Sequence, residues 1–315
     1  MPSKPFFVLA PMDDVTDVVF RSIVAECYAP DMMFTEFVNV DGLCSVGRPK
    51  LIHKLAYNPK TDTNTVAQIW GKSPDNYRTV ASEIAAMGFA GVDINMGCPQ
   101  KNEVNNGCCS ALINDRTLAG NIIRATQEGV AGRLPVSVKC RLGWNEIDYS
   151  WHEYLLGFGL AMLSVHARTR KEMSDVPAHW DALPKIVELR DRISPQTKIV
   201  VNGDIRDYAH GLEVANASRA DGVMIGRGVF KDPYCFDQNS PWSTMTPQQK
   251  IRLYMEHISR FNDTYKNREK SFQSLRKFCK TYIHGFDSAT EVREMVMGAS
   301  SNQNLLDALN KYLTT

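Results

Sequence analysis

Short apolar runs recur along the first 230 or so residues, each ending in a polar or glycine-containing group and each followed by a stretch that reads as helix. They are Phe6 to Ala10 (FFVLA), Met33 to Val38 (MFTEFV), Val66 to Trp70 (VAQIW), Val92 to Met96 (VDINM), Val136 to Cys140 (VSVKC), Met162 to His166 (MLSVH), Ile199 to Asn202 (IVVN) and Val223 to Ile225 (VMI). Eight such units predict an α/β fold, a closed parallel (β/α)8 barrel of the TIM type. The runs end at Met12-Asp13, Glu36, Gln68, Asn95, Lys139 with Arg141, His166 with Arg168, Asn202-Gly203-Asp204 and Gly226-Arg227. In such a barrel the C-terminal ends of the strands form one rim that carries the active site, so one pocket receives all these groups.

After Phe230-Lys231-Asp232-Pro233 the period changes. Ser240 to Pro247 reads as a linker running into a helix cap, and beyond it the apolar positions fall at helical spacing. Gln248 to Asn262 carries Ile251, Tyr254, Met255, Ile258 and Phe261, and Phe272 to His284 carries Leu275, Phe278, Cys279 and Tyr282. Two folded units follow, a catalytic barrel over 1–240 and a small all-helical unit over 246–315, which the length of 315 residues accommodates.

The formal net charge of +1 says nothing about a partner, but its distribution does. Between Lys250 and His284 stand nine Lys/Arg, Arg268 among them, against three acids. Such a run also suits a plain solvated helix face. Arg276, Lys277 and Lys280 share one helix side interleaved with aromatics, which points to a phosphate backbone.

No apolar run reaches the roughly 20 residues that span a bilayer, and the start MPSKPFFVLA lacks a signal peptide's cationic n-region and long apolar stretch. A cytoplasmic protein without membrane contact is expected. Eight cysteines in such a chain suit a reduced compartment, most of them as small buried hydrophobes. Cys98, Cys108 and Cys109 lack a CxxC pair or a nearby His-x-x-x-His, so no metal is expected. Neither a heptad pattern nor an exposed apolar strand calls for a dimer, and a monomer with no obligate protein partner is expected.

The rim can then be read for chemistry. Asn202-Gly203-Asp204 and Gly226-Arg227-Gly228 end the seventh and eighth runs, where barrels of this type hold a phosphate on backbone N–H groups. A glycine turn that only closes the barrel would look the same. Lys139 and His166, with Arg141 and Arg168 two residues further on, alternate onto one side and suit a group that becomes anionic, as reduced flavin does. Gln68 can bond a ring amide edge as donor or acceptor. For any one of these residues an ion pair with Glu36 or Asp204 is the plain alternative. In Gly91 to Pro99 (GVDINMGCP) the strand breaks at Gly97, leaving Asn95 and Cys98 at its mouth, where a thiol can hand a proton to a bound substrate.

Ala10-Pro11-Met12, Thr35-Glu36-Phe37, Gln68-Ile69-Trp70-Gly71, Asp93 to Pro99 (DINMGCP), Val138 to Gly143 (VKCRLG), Val165 to Thr169 (VHART), Asn202 to Ile205 (NGDI) and Ile225 to Gly228 (IGRG) together resemble the tRNA-dihydrouridine synthases, in order along the whole barrel. The segment SLRKFCKTYIHGFDSATEVREM is similar to the helical tRNA-recognition domain of the bacterial C-type branch, which modifies uridine 16. The resemblance implies an oxidoreductase that uses FMN, reduced by NADPH, to saturate the C5=C6 bond of a uridine in the tRNA D-loop. It implies that Pro11, Met12, Asp13, Gln68, Lys139, His166, Asn202, Gly203, Asp204, Gly226 and Arg227 hold FMN. Cys98 is then the general acid, donating to C5 while hydride from flavin N5 reaches C6. Asn95, Arg141 and Arg168 would meet the uracil or its phosphate, and Arg276, Lys277 and Lys280 the tRNA body. The uridine must also be turned out of its stack to enter a barrel, which costs a few kcal/mol that basic contacts can offset.

Where the family usually continues with small residues such as GAGA, this chain has Asn106-Gly107-Cys108-Cys109-Ser110-Ala111. The extra thiols predict that an oxidised preparation loses activity reversibly through a disulfide from Cys98 to Cys108 or Cys109. Two rival functions use the same barrel: an FMN-dependent reductase or dehydrogenase of a free pyrimidine or other small molecule, which needs no basic appendage, and a tRNA chaperone without catalysis, which needs neither Cys98 nor Lys139.

Overall fold

The computed structural model describes residues 4–266 and 269–314, so Arg268 of the basic window lies outside the described residues. Strands β1 (Phe6–Leu9), β2 (Met32–Phe34), β3 (Thr65–Trp70), β4 (Gly91–Met96), β5 (Val136–Arg141), β6 (Met162–His166), β7 (Lys198–Asn202) and β8 (Gly222–Ile225) stand side by side in chain order, all parallel. β1 pairs with both β2 and β8, and β2 pairs with β3, which closes the barrel. Helices α1 (Val18–Tyr28), α2 (Pro74–Ile84), α3 (Arg116–Val130), α4 (Tyr149–Leu156), α5 (Leu183–Ile193) and α6 (Tyr208–Ser218) provide the crossovers. This is the expected (β/α)8 barrel.

The alternation of the strands builds two apolar layers. Val8, Ala10, Phe34, Val66, Met162, Val200 and Met224 meet inside the barrel. Phe7, Leu9, Ile69, Ile94, Val138, Val165 and Val201 belong to the larger core shared with the helices. At about 1.5–3 kcal/mol for each fully buried aliphatic side chain, these two layers dominate what holds the barrel together.

The second run departs from expectation. Instead of one strand over 33–38, β2 ends at Phe34, and Val38–Asn39 forms a separate two-residue strand against Ile69 and Trp70. Phe34 pairs with Val66 and Val38 with Ile69, so the 34–38 stretch holds one residue more than its partner, a bulge. Polar side chains explain the break: Thr35 donates its hydroxyl to the Glu36 carbonyl at 2.6 Å and accepts the Gln68 N–H at 3.1 Å. Nor does a long helix follow β2; residues 40–55 fold into one short helix and two 3₁₀ turns.

Beyond the barrel lie α7 (Pro247–Thr264), α8 (Ala289–Gly298) and α9 (Asn302–Thr314). α7 starts with a capping box of Thr246 and Gln249, with proline in the first turn. The stretch before it is no loose connector, because Trp242 is buried and its ring lies 6.2 Å from that of Tyr282. The predicted helix over 272–284 is instead a 3₁₀ segment, Phe272–Phe278, followed by a short helix, Cys279–Tyr282. Tyr254 donates its hydroxyl to the Leu275 carbonyl at 2.8 Å, diverting an acceptor that an α-ladder would use. The expected apolar face is nonetheless kept, with Leu275, Phe278, Cys279 and Tyr282 buried. These helices pack on α1, where Phe20 meets Phe278 with ring centroids 4.7 Å apart and His257 at 5.5 Å. Among the described residues no helix is long and apolar enough to cross a membrane.

Candidate active site

A cavity of about 230 Å³ opens on the C-terminal rim between β1 and the ends of β5 to β8. Its walls are Ala10, Pro11, Met12, Lys139, His166, Ser174, Asn202, Gly203, Asp204, Ile205, Gly226 and Arg227. Strand geometry puts them there: Lys139 is the fourth residue of β5, and His166 and Asn202 end β6 and β7, paired in register.

The Lys139 ammonium makes no hydrogen bond and no ion pair among the described residues. Burial, and next the Arg141 charge, lower its pKa from 10.5 to about 8. An ammonium so placed favours an acceptor or an anion in the cavity. His166 is held well below the usual imidazole range by burial first and then by Lys139, Arg141, Arg168 and Arg227, so its ring is neutral. Arg168 Nη1 lies 3.0 Å from His166 Nε2 and can only donate, which assigns the ring proton to Nδ1.

The NGD turn at the end of β7 is built tightly. Gly203 has φ 121° and Asp204 φ 57°, both in the left-handed region. A Cβ on Gly203 would lie 3.1 Å from His166 Cδ2 and 3.1 Å from Ala178 Cβ, so glycine is required by backbone and by space. Trp180 Nε1 donates to the Gly203 carbonyl at 2.9 Å, and Asn202 Nδ2 donates to the Met224 carbonyl of β8 at 2.8 Å. Asp204 is ion-paired with Arg168 and with Arg227, the latter at 2.9 Å. Among the described residues the backbone N–H groups of Gly203 and Asp204 have no protein acceptor. An anion can therefore be held by N–H groups and Arg227, with the Asp204 carboxylate turned to the arginines.

The neighbouring part of the rim, on β3 and β4, is closed on itself. Asp93, fully buried, accepts from Ser137 Oγ at 2.5 Å and from Gln68 Nε2 at 2.7 Å, and burial raises its pKa to about 6. Gln68 Oε1 accepts from Asn95 Nδ2 at 3.0 Å, and Asn95 Oδ1 accepts the backbone N–H groups of Gly97 at 3.0 Å and Cys98 at 2.9 Å. Arg141 completes the support, donating from Nε to the Gly97 carbonyl at 2.7 Å and from Nη1 to the carbonyls of Thr169 and Met173. Burial lowers its pKa to about 10.

Cys98, two residues past the end of β4, is half-buried on that support; it does not line the cavity but lies near enough to Lys139 to act on its charge. The neighbouring Cys109 thiol, with the Gln100 N–H, favours its thiolate and lowers its pKa against the opposing effect of burial. Cys109 is pushed well up in turn. Cys108 points elsewhere, its Sγ 3.9 Å from the Asn106 carbonyl. All eight cysteines are free thiols.

The structure thus brings Pro11, Met12, Lys139, His166, Asn202, Gly203, Asp204, Gly226 and Arg227 around one cavity. Others expected at the ligand are placed differently. Asp13 pairs with Lys54 on the outside of the loop. Gln68 is committed to Asp93 and Asn95, Asn95 to Gln68 and the Cys98 turn, Arg141 to the carbonyls of Gly97, Thr169 and Met173, and Arg168 to His166, Asp204 and the Val176 carbonyl. In the C-terminal helices Arg276 donates to the Ala299 carbonyl and Lys277 to the carbonyl and carboxylate of Asp14, while Lys280 stays exposed. Sequence reasoning missed Ser174, on an aperiodic loop that carries no signal. It also missed Trp180, whose indole fastens the NGD turn from a neighbouring crossover.

The comparisons agree with this geometry. The family model described as Dihydrouridine synthase (Dus) matches residues 8–315. A "Probable tRNA-dihydrouridine synthase" of Staphylococcus aureus (strain COL) is 44% identical over 304 residues, covering 95% of this chain and 90% of its own. A "Probable tRNA-dihydrouridine synthase 2" of Bacillus subtilis (strain 168) is 40% identical over 313 residues, covering 98% and 94%. Among solved structures, histamine dehydrogenase from Rhizobium sp. 4-9 superposes with a TM-score of 0.52 at 11% identity, over 80% of this chain and 48% of its own, a likeness of fold alone. A family model spanning nearly the whole chain, together with relatives 40–44% identical over almost its full length, shows that the protein belongs to the dihydrouridine synthase family, oxidoreductases that act on tRNA.

Proposed function

We propose that the cavity holds FMN and that the enzyme reduces the C5=C6 bond of a D-loop uridine, position 16, with NADPH as reductant. The observation that carries this reading is the unpaired Lys139 ammonium beside a neutral His166, facing a cavity whose far wall is the NGD and GRG turns. Lys139 and the His166 Nδ1–H suit the edge of a ring system that gains negative charge, while the N–H groups of Gly203 and Asp204 with Arg227 suit a phosphate. Pro11, Met12 and Gly226 supply the apolar and close-approach walls. When bound, the flavin supplies a hydride to C6 of the uracil.

The protein's own contribution is the second hydrogen. Cys98 delivers the thiol proton to C5, so hydride and proton together saturate the double bond and the thiolate left behind recovers a proton from water. The neighbouring Cys109 thiol favours that thiolate, and Asn95 and Arg141 hold the turn that carries it. For the tRNA body the reading uses the helical unit, 246–315. A cleft of about 380 Å³ there is lined by Arg276, Lys277, Cys279, Lys280, Thr290, Arg293, Glu294 and Met297, an apolar floor beneath four cations.

The test is to map dihydrouridine in tRNA from a strain lacking the gene and to restore it with purified protein, recording its visible spectrum. Flavin absorption bands and the return of dihydrouridine at position 16 are expected. Restoration at another position alone would overturn the site specificity, and a colourless, flavin-indifferent protein would overturn the cofactor. Reduction of free uracil or uridine with tRNA left inert would favour the small-molecule reductase.

A further inference from the structure

Beneath the β1 loop that walls the cavity, three carboxylates converge on one lysine from the other end of the chain. Lys270 Nζ lies 3.2 Å from Asp14, 3.0 Å from Asp17 and 3.1 Å from Glu36. Its side chain is 3% exposed, those of Asp17 and Glu36 6% and 0%. Burial by itself would discharge Lys270, but Asp17 and Glu36 outweigh it and raise its pKa. Glu36 is raised by burial against the pull of Lys270.

Each of these carboxylates also shapes the loop. Asp17 caps α1, accepting the N–H groups of Val19 and Phe20 at 3.1 and 2.9 Å. Glu36 Oε1 accepts the Asp14 N–H at 2.6 Å, which holds Asp14 at φ 57° in the left-handed region. Thr16 closes the turn, its Oγ1 accepting the Met12 N–H at 3.0 Å. The loop that presents Pro11 and Met12 to the cavity is therefore written in buried anions, and such a cluster stands only if a cation compensates it. Lys54 reaches Asp13 and the edge of Glu36, at 3.9 Å, and Lys277 reaches Asp14. Among these three lysines only Lys270 pairs with Asp17.

We propose that Lys270 is a positioning residue for the cofactor wall: from the C-terminal helices it neutralises the Asp14, Asp17 and Glu36 cluster and fixes the loop 11–17 against the cavity. The C-terminal helices are then a part of the cofactor site as well as a clamp for RNA. The inference rests on the reading that flavin occupies this cavity, but its structural half does not. A second cross-chain pair supplies the control, since Arg260 grips Glu26 with two bonds of 2.6 and 2.7 Å on the outer face of α1, away from the loop.

The experiment compares Lys270→Met, Lys270→Arg and Arg260→Met in the full chain. It measures hydrogen exchange over residues 11–17 in the flavin-free protein and FMN affinity by quenching of flavin fluorescence. Lys270→Met is expected to speed exchange in 11–17 and weaken FMN, each by about ten-fold or more, as an uncompensated buried anion pushes the loop apart. Lys270→Arg restores both to within about three-fold, because the charge returns. Arg260→Met changes neither, although it lowers the melting temperature. If Lys270→Met does not fold, the double variant Lys270→Met with Glu36→Gln replaces it, and the same loosening is expected at smaller size. Wild-type exchange over 11–17 in the folded variant, or loosening no different from that of Arg260→Met, overturns the proposal. Failure of the wild-type protein to bind FMN overturns the flavin reading instead, and the exchange comparison still decides the role of Lys270.

Discussion

Two adjacent arcs of the same rim use similar residues in opposite ways. On β5 to β8, polar groups stand with partners missing: Lys139 is unpaired, the His166 Nδ1–H has no acceptor among the described residues, and the N–H groups of Gly203 and Asp204 are free. On β3 and β4, Ser137, Asp93, Gln68 and Asn95 form a continuous hydrogen-bonded chain that ends on the N–H of Cys98. Polar groups that face a cavity without a protein partner are available to a ligand, whereas a closed hydrogen-bonded network is not. On the proposed reading the first arc is the receptor, and the second is the mount that carries one thiol.

Four experiments break or sharpen this contrast. The largest effect is expected at the end of the mount: Cys98→Ala should lower the rate of tRNA reduction by about 1,000-fold, the scale of a lost general acid, with flavin affinity unchanged. Single-turnover kinetics with reduced enzyme would show it, and a parallel loss of flavin would instead place Cys98 within the receptor arc.

Next comes the receptor. Lys139→Met should weaken flavin binding by about 100-fold while stabilising the flavin-free protein by about 1–3 kcal/mol in urea unfolding at pH 7. The sign follows from its lowered pKa. Between about 8 and the unfolded value of 10.5 the unfolded chain holds a proton that the folded one gives up, so the wild-type protein gains stability as pH rises through that window. Below it the penalty is complete, and the substitution removes it. The variant's stability should lack that rise.

A smaller effect belongs to the inner links of the mount. Asn95→Ala should reduce kcat by about 10-fold to 100-fold, by freeing the Cys98 turn, and leave the flavin dissociation constant within about two-fold. An equal loss of both in titration and turnover assays would mean that Asn95 faces the ligand. The smallest effect lies outside both arcs. Lys280→Ala should lower the slope of log tRNA affinity against log salt by about 1, with uniform weakening across tRNA sequences. Lys277, already bonded to Asp14, should contribute less than Lys280 to that slope.

The residues that line the cavity were legible in the sequence, because their signals are local. A glycine before an acid at a strand end, or a lysine at an inward position, needs only strand alternation and the barrel's single rim to be placed. The sequence carried the mount poorly. The family resemblance puts Gln68, Asn95 and Arg141 at the ligand, and nothing local says that Gln68 and Asn95 close a chain with Asp93, or that Arg141 bonds the carbonyls of Gly97, Thr169 and Met173. Arg276 and Lys277 show the same limit: a charged face looks free in the sequence, but Arg276 also donates to the carbonyl of Ala299 and Lys277 to the carboxylate of Asp14.

By itself, then, the chain's pattern determined the eight barrel strands, the shared rim, the break at Gly97 after which Cys98 follows and the change to helical period after the barrel. These follow from periodicity and backbone preference, which act over a few residues. Only the tertiary structure decided which polar groups remain unpartnered among the described residues, that Asn95 holds the Cys98 turn, and that Lys270 stands among the carboxylates of the first loop. Those outcomes depend on which side chains from distant segments reach each other first, and a buried charge or amide takes its role from that competition.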